Sequence, residues 1–94
     1  MSWVFDWDLW NVQKNETKHG VSPQEAESTF YDEHHLLFPD DLHSKAEKRY
    51  ILLGKSMESR ILFVGFTLRL KKIRIITERP TSKKERQVYE EQKK

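Results

Sequence analysis

Cysteine is absent from the chain. No disulfide can staple the fold, and neither a thiolate nucleophile nor a cysteine-based zinc site is available. No apolar stretch approaches the roughly 20 residues that a bilayer span requires. The opening residues, MSWVFDWDLW, are acidic where a secretory signal would be basic. A cytoplasmic protein with no membrane partner is therefore expected. Internal repeats and low-complexity linkers are also missing, and 94 residues is the length of one small domain. A single domain over 1–94 with one core follows.

Hydrophobic residues make up 36% of the chain and charged residues 34%, a polar composition for a globular protein. Five Phe, three Tyr and three Trp, with the runs YILL, ILFVGF and IRII, nevertheless supply enough apolar material for a core. The net charge of +2 conceals a division along the chain. Residues 1–47 carry 3 Lys+Arg against 10 Asp+Glu, a balance of −7, and residues 48–94 carry 14 against 5, a balance of +9. If the basic half forms one face, that face suits a polyanion such as RNA or DNA. The alternative is that the two halves neutralise each other across the fold.

Local signals outline an α+β domain. In WVFDWD, Trp3, Phe5 and Trp7 alternate with acids, which predicts a short strand leading into a helix with Asp8 as N-cap. LWNVQKNETK lacks breakers, and Lys18 and His19 precede Gly20, so the helix is expected to end there. Ser22 and Glu25 form a capping box with Pro23 at the first helical position and Val21 placed to staple against Ala26, which predicts a second helix from Pro23 to about Tyr31. HHLLFPDDLHS reads as an irregular polar stretch with room for a short strand at its start. From Arg49 onward RYILLG, RILFVGF and KIRIITE read as strands of an antiparallel sheet of three to four strands, ILFVGF central and covered on both faces. Ser82 and Glu85 repeat the capping box, so a third helix should begin near Lys83, lying on the surface with a frayed end.

Three groups of residues could carry chemistry. Lys18, His19 and Gly20 are explained as a helix ending, since cations there meet the negative end of the macrodipole and glycine takes the left-handed turn. His19 is also placed to move a proton beside a basic surface. His34, His35, Asp40, Asp41 and His43 crowd one stretch, but their spacing matches no defined metal site, so no metal or other cofactor is expected. Arg49, Arg60, Arg69, Arg74 and Arg79 all fall in or beside predicted strands. Guanidinium groups on a rigid sheet can hold phosphate bidentately, although wet strand faces carry cations routinely. One of Trp3, Trp7 and Trp10 could stack on a base, core packing being the alternative.

The order of these motifs resembles a known family. FDWD at 5–8, Asn15, KHGVS at 18–22, Glu25 and Ala26, Phe30, PDDLHS with Glu47 and Arg49, and IRIIT followed by Glu78 and Arg79 are similar to the BrnT toxins of bacterial type II toxin–antitoxin systems. The resemblance implies a small RelE-like α+β ribonuclease with two N-terminal helices, an antiparallel sheet and a C-terminal helix, which cleaves RNA without a metal and arrests translation. Its partner would be a BrnA-type antitoxin, a ribbon-helix-helix protein through which the complex meets operator DNA. His19 is then the expected proton carrier, and Arg69, Arg74 and Arg79 the catalytic phosphate holders. Trp7, Lys18, Arg49 and His43 would contact substrate, with His43 a reserve proton carrier. For these roles His19 must lie within reach of the strand arginines. The chain departs from the family pattern at Asn11, where relatives carry lysine, at Phe66 and Leu68, where they carry tyrosine and glutamate, and near Leu70, where they carry glycine. Two other readings remain, a nucleic-acid binder without catalysis and a module that only docks an antitoxin.

Overall fold

A computed structural model describes residues 3–92. In chain order it contains strand β1 (Phe5–Asp6), helix α1 (Leu9–His19), helix α2 (Pro23–Ser28) continued by a 3-10 turn (Thr29–Tyr31), strand β2 (Leu36–Pro39), a 3-10 turn (Asp41–His43), strands β3 (Arg49–Lys55), β4 (Ile61–Arg69) and β5 (Lys72–Pro80), and helix α3 (Lys83–Gln92). The strands form one sheet in the order β1-β5-β4-β3-β2. Neighbours β2 to β5 are antiparallel, and β1 joins β5 in parallel, Phe5 opposite Ile73. The short N-terminal strand and the central place of ILFVGF are both as the sequence indicates, but the sheet has five strands.

The helix ends follow from their caps. Asp8 accepts a hydrogen bond from the Trp10 amide at 2.9 Å, and Gly20 closes α1 at φ 65° with its N–H donating to the Glu16 carbonyl. Ser22 Oγ accepts from the Glu25 amide at 3.1 Å. The Glu25 side chain, however, does not return to close the capping box; it turns to Arg60 instead. At α3 the box is reciprocal, the Ser82 amide donating to Glu85 and the Glu85 amide to Ser82 Oγ.

One sheet face and the helices enclose the core. Val21, Ala26 and Phe30 pack on Leu52, Leu62, Val64, Phe66, Ile73 and Ile75. Phe30 makes edge contacts with Phe5 and Phe66 at centroid distances of 5.1 and 5.2 Å. α1 lies along β5 on this side.

Two expectations need correction. α2 is shorter than Pro23 to Tyr31, because its last three residues tighten into a 3-10 turn in which Thr29 and Phe30 are buried. β4 is not covered on both faces: from Ile61 to Phe66 its residues alternate between half-buried and buried, and Leu68 and Arg69 are exposed. α3 lies on the surface, with every residue but Glu85 and Tyr89 exposed, yet it is anchored there rather than loose, for Tyr89 is buried and its hydroxyl donates to Asp32 Oδ2 at 2.5 Å. The frayed end expected of α3 concerns Lys93 and Lys94, which lie outside the described residues.

Candidate functional site

Side chains alternate along a strand, so cross-strand partners share a face. Leu52, Val64 and Glu78 are in register, as are Tyr50, Phe66 and Ile75, and these rows face the core. The intervening rows, Arg49–Thr67–Arg74 and Leu53–Phe63–Arg79, therefore face the other way, with Gly65 and Thr77 between them. By the same alternation Arg69 projects from this face at the hairpin end of β4. Four of the five strand arginines thus share the face that the helices α1 and α2 leave open.

His43 overhangs this face from the 3-10 turn after β2. Its Nδ1 lies 2.9 Å from Asp40 Oδ2, a contact in which the ring N–H donates to the carboxylate and Nε2 is left to the solvent side. The loop is fastened to β3: the Asp40 amide donates to the Arg49 carbonyl at 2.9 Å, and Ser44 Oγ donates to the Asp40 carbonyl and accepts from the Arg49 amide. His43, Lys45, Glu47 and Arg49 line a surface concavity of about 520 Å³. Beside it a smaller cavity of about 160 Å³ reaches over Gly65 and Thr77. Among the described residues the Arg49 guanidinium has no hydrogen bond or ion pair.

The other arginines of this face are held by carboxylates. Arg79 meets Glu85 with two contacts of 2.9 Å and sits 4.0 Å above the Phe63 ring. This pairing draws the Glu85 carboxyl down to about 2. Arg74 reaches Asp8 at 3.1 Å and Asp6 at 3.6 Å, and its hydrogen bond, with that of the Trp10 amide, lowers Asp8. Arg69 pairs with Glu47 at 2.9 Å near the surface. Arg60 belongs to the other side: its guanidinium holds both oxygens of buried Glu25 at 2.6 Å and the Gly20 carbonyl at 2.7 Å, while Ser56 Oγ donates to Glu25 at 2.7 Å. Acid and basic halves of the sequence do neutralise each other through the pairs of Arg60, Arg69 and Arg74, whereas Arg79 pairs within the basic half and Arg49 is left out.

His19 and Lys18 lie in the last turn of α1, next to the Gly20 carbonyl that Arg60 binds. Arg60 precedes β4 and Arg69 ends it, so His19 and Arg69 are separated by a nine-residue strand, about 26 Å at a rise of about 3.3 Å per residue. Arg79 projects from the face opposite the α1 side. The structure thus sets His19 beside Arg60 rather than beside Arg69 or Arg79, and it gathers His43 with Arg49. Trp7 is half-buried, its indole N–H donating to Glu27 at 2.6 Å, whereas Trp3 and Trp10 are exposed, Trp10 the more so at 71%.

Several residues of the site were not singled out in the sequence: Asp40 as the partner of His43, Lys45 in the concavity, and Gly65 and Thr77 in the cavity. The three-residue spacing of Asp40 and His43 in PDDLHS was the available signal for the first, since a helical turn brings such positions together. Glu78 was likewise missed. It is fully buried on the core face beneath α1, with both oxygens lacking hydrogen-bond partners among the described residues. Burial, with repulsion from Glu16, pushes its carboxyl up to about 8. Among the described residues no three His, Asp or Glu side chains are grouped to hold a metal ion.

Comparison with known proteins adds to this geometry. Residues 7–85 match the profile of a family described as the ribonuclease toxin BrnT of type II toxin–antitoxin systems. The crystal structure of the Brucella abortus ribonuclease toxin BrnT is similar at a TM-score of 0.66 and 24% identity, over 87% of this chain and 100% of that one. No curated protein matches by sequence.

Proposed function

Since this chain belongs to the BrnT family of type II toxin–antitoxin ribonuclease toxins, we propose that it cleaves RNA without a metal ion and so blocks translation, and that the open sheet face beneath His43 is where it does so. The observation that carries this reading is the imidazole fastened to Asp40 beside the uncommitted guanidinium of Arg49. Metal-free cleavage requires the 2′-hydroxyl to attack the neighbouring phosphorus. A base removes its proton, cations stabilise the charge that builds on the phosphorane oxygens, and the 5′-oxygen leaves as it takes a proton from water. With Asp40 fixing Nδ1–H, Nε2 of His43 is the lone pair that accepts the proton of the 2′-hydroxyl. Arg49 supplies two parallel N–H donors to the phosphate, and Lys45 adds a cation on the leaving side.

Arg74 and Arg79, on the same face, are the proposed contacts for flanking phosphates once RNA competes with Asp8 and Glu85. Arg69 extends that track at the hairpin end. His19 and Lys18 contribute at most to the field of the helix end, and Trp7 through its hold on Glu27. The partner is proposed to be a BrnA-type antitoxin of the ribbon-helix-helix class, which links the toxin to operator DNA.

RNA incubated with the purified protein in excess EDTA tests the reading. Fragments ending in 2′,3′-cyclic phosphate are expected, and His43→Ala should abolish them with Tm unchanged within a few degrees. RNA that is shifted on a gel yet intact at stoichiometric protein would overturn catalysis in favour of simple binding. A His43→Ala variant as fast as the parent would remove the imidazole from the mechanism.

A further inference from the structure

The cavity over Gly65 is too small for a drug-sized ligand. It measures about 160 Å³, against roughly 300–1,000 Å³ for such pockets. It owes its existence to a glycine on the central strand, where the cross-strand partner Thr77 closes the floor: a Cβ at position 65 would meet Thr77 Cγ2 at 2.9 Å. The Phe63 ring edge lies 4.0 Å from the same point and cannot swing away, because Arg79 is stacked over its face and is itself clamped by Glu85. A β-bulge at Gly65/Phe66 inserts Ile76 into β5 beside the cavity, and such bulges re-aim side chains next to binding sites. The walls are therefore apolar and rigid. Thr77 lines the floor with its methyl against Gly65 and its hydroxyl in no hydrogen bond among the described residues, and at the mouth stand Asp40, His43 and Arg49.

An apolar slot with one polar group at its end matches a planar ring with apolar faces and a polar edge. We propose that this cavity seats one unstacked nucleobase of single-stranded RNA, the base next to the phosphate held at Arg49, with the Thr77 hydroxyl reading the base edge. The inference rests on the ribonuclease reading above and deepens it. A base inside a duplex cannot enter, because its faces are covered by stacking and its edge by pairing. Thr77 becomes the specificity-determining residue and Gly65 the position that keeps the slot open.

Binding separates this inference from catalysis. Four short oligonucleotides, identical except for one central base and carrying a 2′-deoxy sugar there so that they cannot be cut, are titrated against the full chain by fluorescence anisotropy. One base is expected to bind about tenfold more tightly than the least favoured, the worth of one good hydrogen bond. Thr77→Val, which keeps the shape and removes the hydroxyl, should erase that preference while the weaker three are unchanged. Annealing a complementary strand should abolish the preference as well. Equal affinity for all four, or a preference untouched in Thr77→Val, overturns the slot even if the protein cleaves RNA. A preference that is present in a protein unable to cut RNA would uphold the slot and sink the ribonuclease reading instead.

Discussion

Replacing Glu78 with glutamine should change how stability depends on pH. Glu78 is completely enclosed between β5 and α1 and neither oxygen is paired among the described residues. Burial, with Glu16 nearby, lifts its carboxyl from an ordinary 4.5 to about 8. Below pH 4.5 both the folded and unfolded chains hold the proton and Glu78 adds no pH dependence. Between 4.5 and 8 the unfolded chain has lost the proton and the folded chain keeps it, so stability falls as pH rises, by about 1.4 kcal/mol per unit. From pH 5 to pH 8 the loss is at most about 4 kcal/mol by that slope. Glutamine is neutral in both states, so Glu78→Gln should be flat over the same range and exceed the parent at pH 7 by up to about 3 kcal/mol. Glu85 and Asp8, held below their usual range by Arg79 and Arg74, act elsewhere. Their contribution is present above the ordinary carboxylate range and is lost as pH falls towards 2, outside this window. Urea denaturation at pH 5, 6, 7 and 8 measures both proteins. Curves that fall in parallel, or a parent that gains stability between pH 5 and 8, would refute the assignment of an unpaired buried acid.

Other perturbations test other contacts. Arg60→Ala strands Glu25, which is 4% exposed; the expected loss by chemical denaturation is about 2–3 kcal/mol, less than for a fully enclosed pair because Arg60 is partly open to water. Gly20 and Leu70 form a mirror pair, both left-handed at φ 65° and 53°. Gly20→Ala should cost about 1 kcal/mol by strain alone, since no atom lies in the way of the new methyl. Leu70→Gly should gain about the same amount in the β4–β5 turn, and a Leu70→Gly protein with a lower Tm than the parent would contradict that turn geometry. Tyr89→Phe removes the hydroxyl that donates to Asp32, and should loosen α3 by about 1–2 kcal/mol, seen as faster amide exchange in α3 before any change in β4.

What was legible in the sequence was local. Asp8, Ser22, Gly20 and the Ser82–Glu85 pair announced helix ends because a cap acts within four residues of itself, and the β-branched runs announced β3 to β5. What was not legible joins distant residues. Tyr89 finds Asp32 across 57 positions, so α3 looked unanchored when judged by its own composition. Whether His19 faces the same side as Arg79 depends on which sheet face α1 covers, and no spacing in the sequence encodes that. The likeness to a family fixed the kind of protein but carried its expected proton carrier to a helix end, whereas the side chains that the fold brings together are His43, Asp40 and Arg49. Glu78 escaped notice because an acid in a strand is ordinarily solvated, and only the position of α1 above it makes it otherwise.

The parallel pairing of β1 with β5 places Phe5 against Ile73 and Asp8 against Arg74. Phe5 finds Phe30 within the first third of the sequence, but its strand partner comes only with the last hairpin. The Arg74–Asp8 pair that ties the start of α1 to the sheet spans 66 positions, so it forms only once β5 has been made. An elongating polypeptide consequently cannot assemble the finished sheet until β5 has left the ribosome.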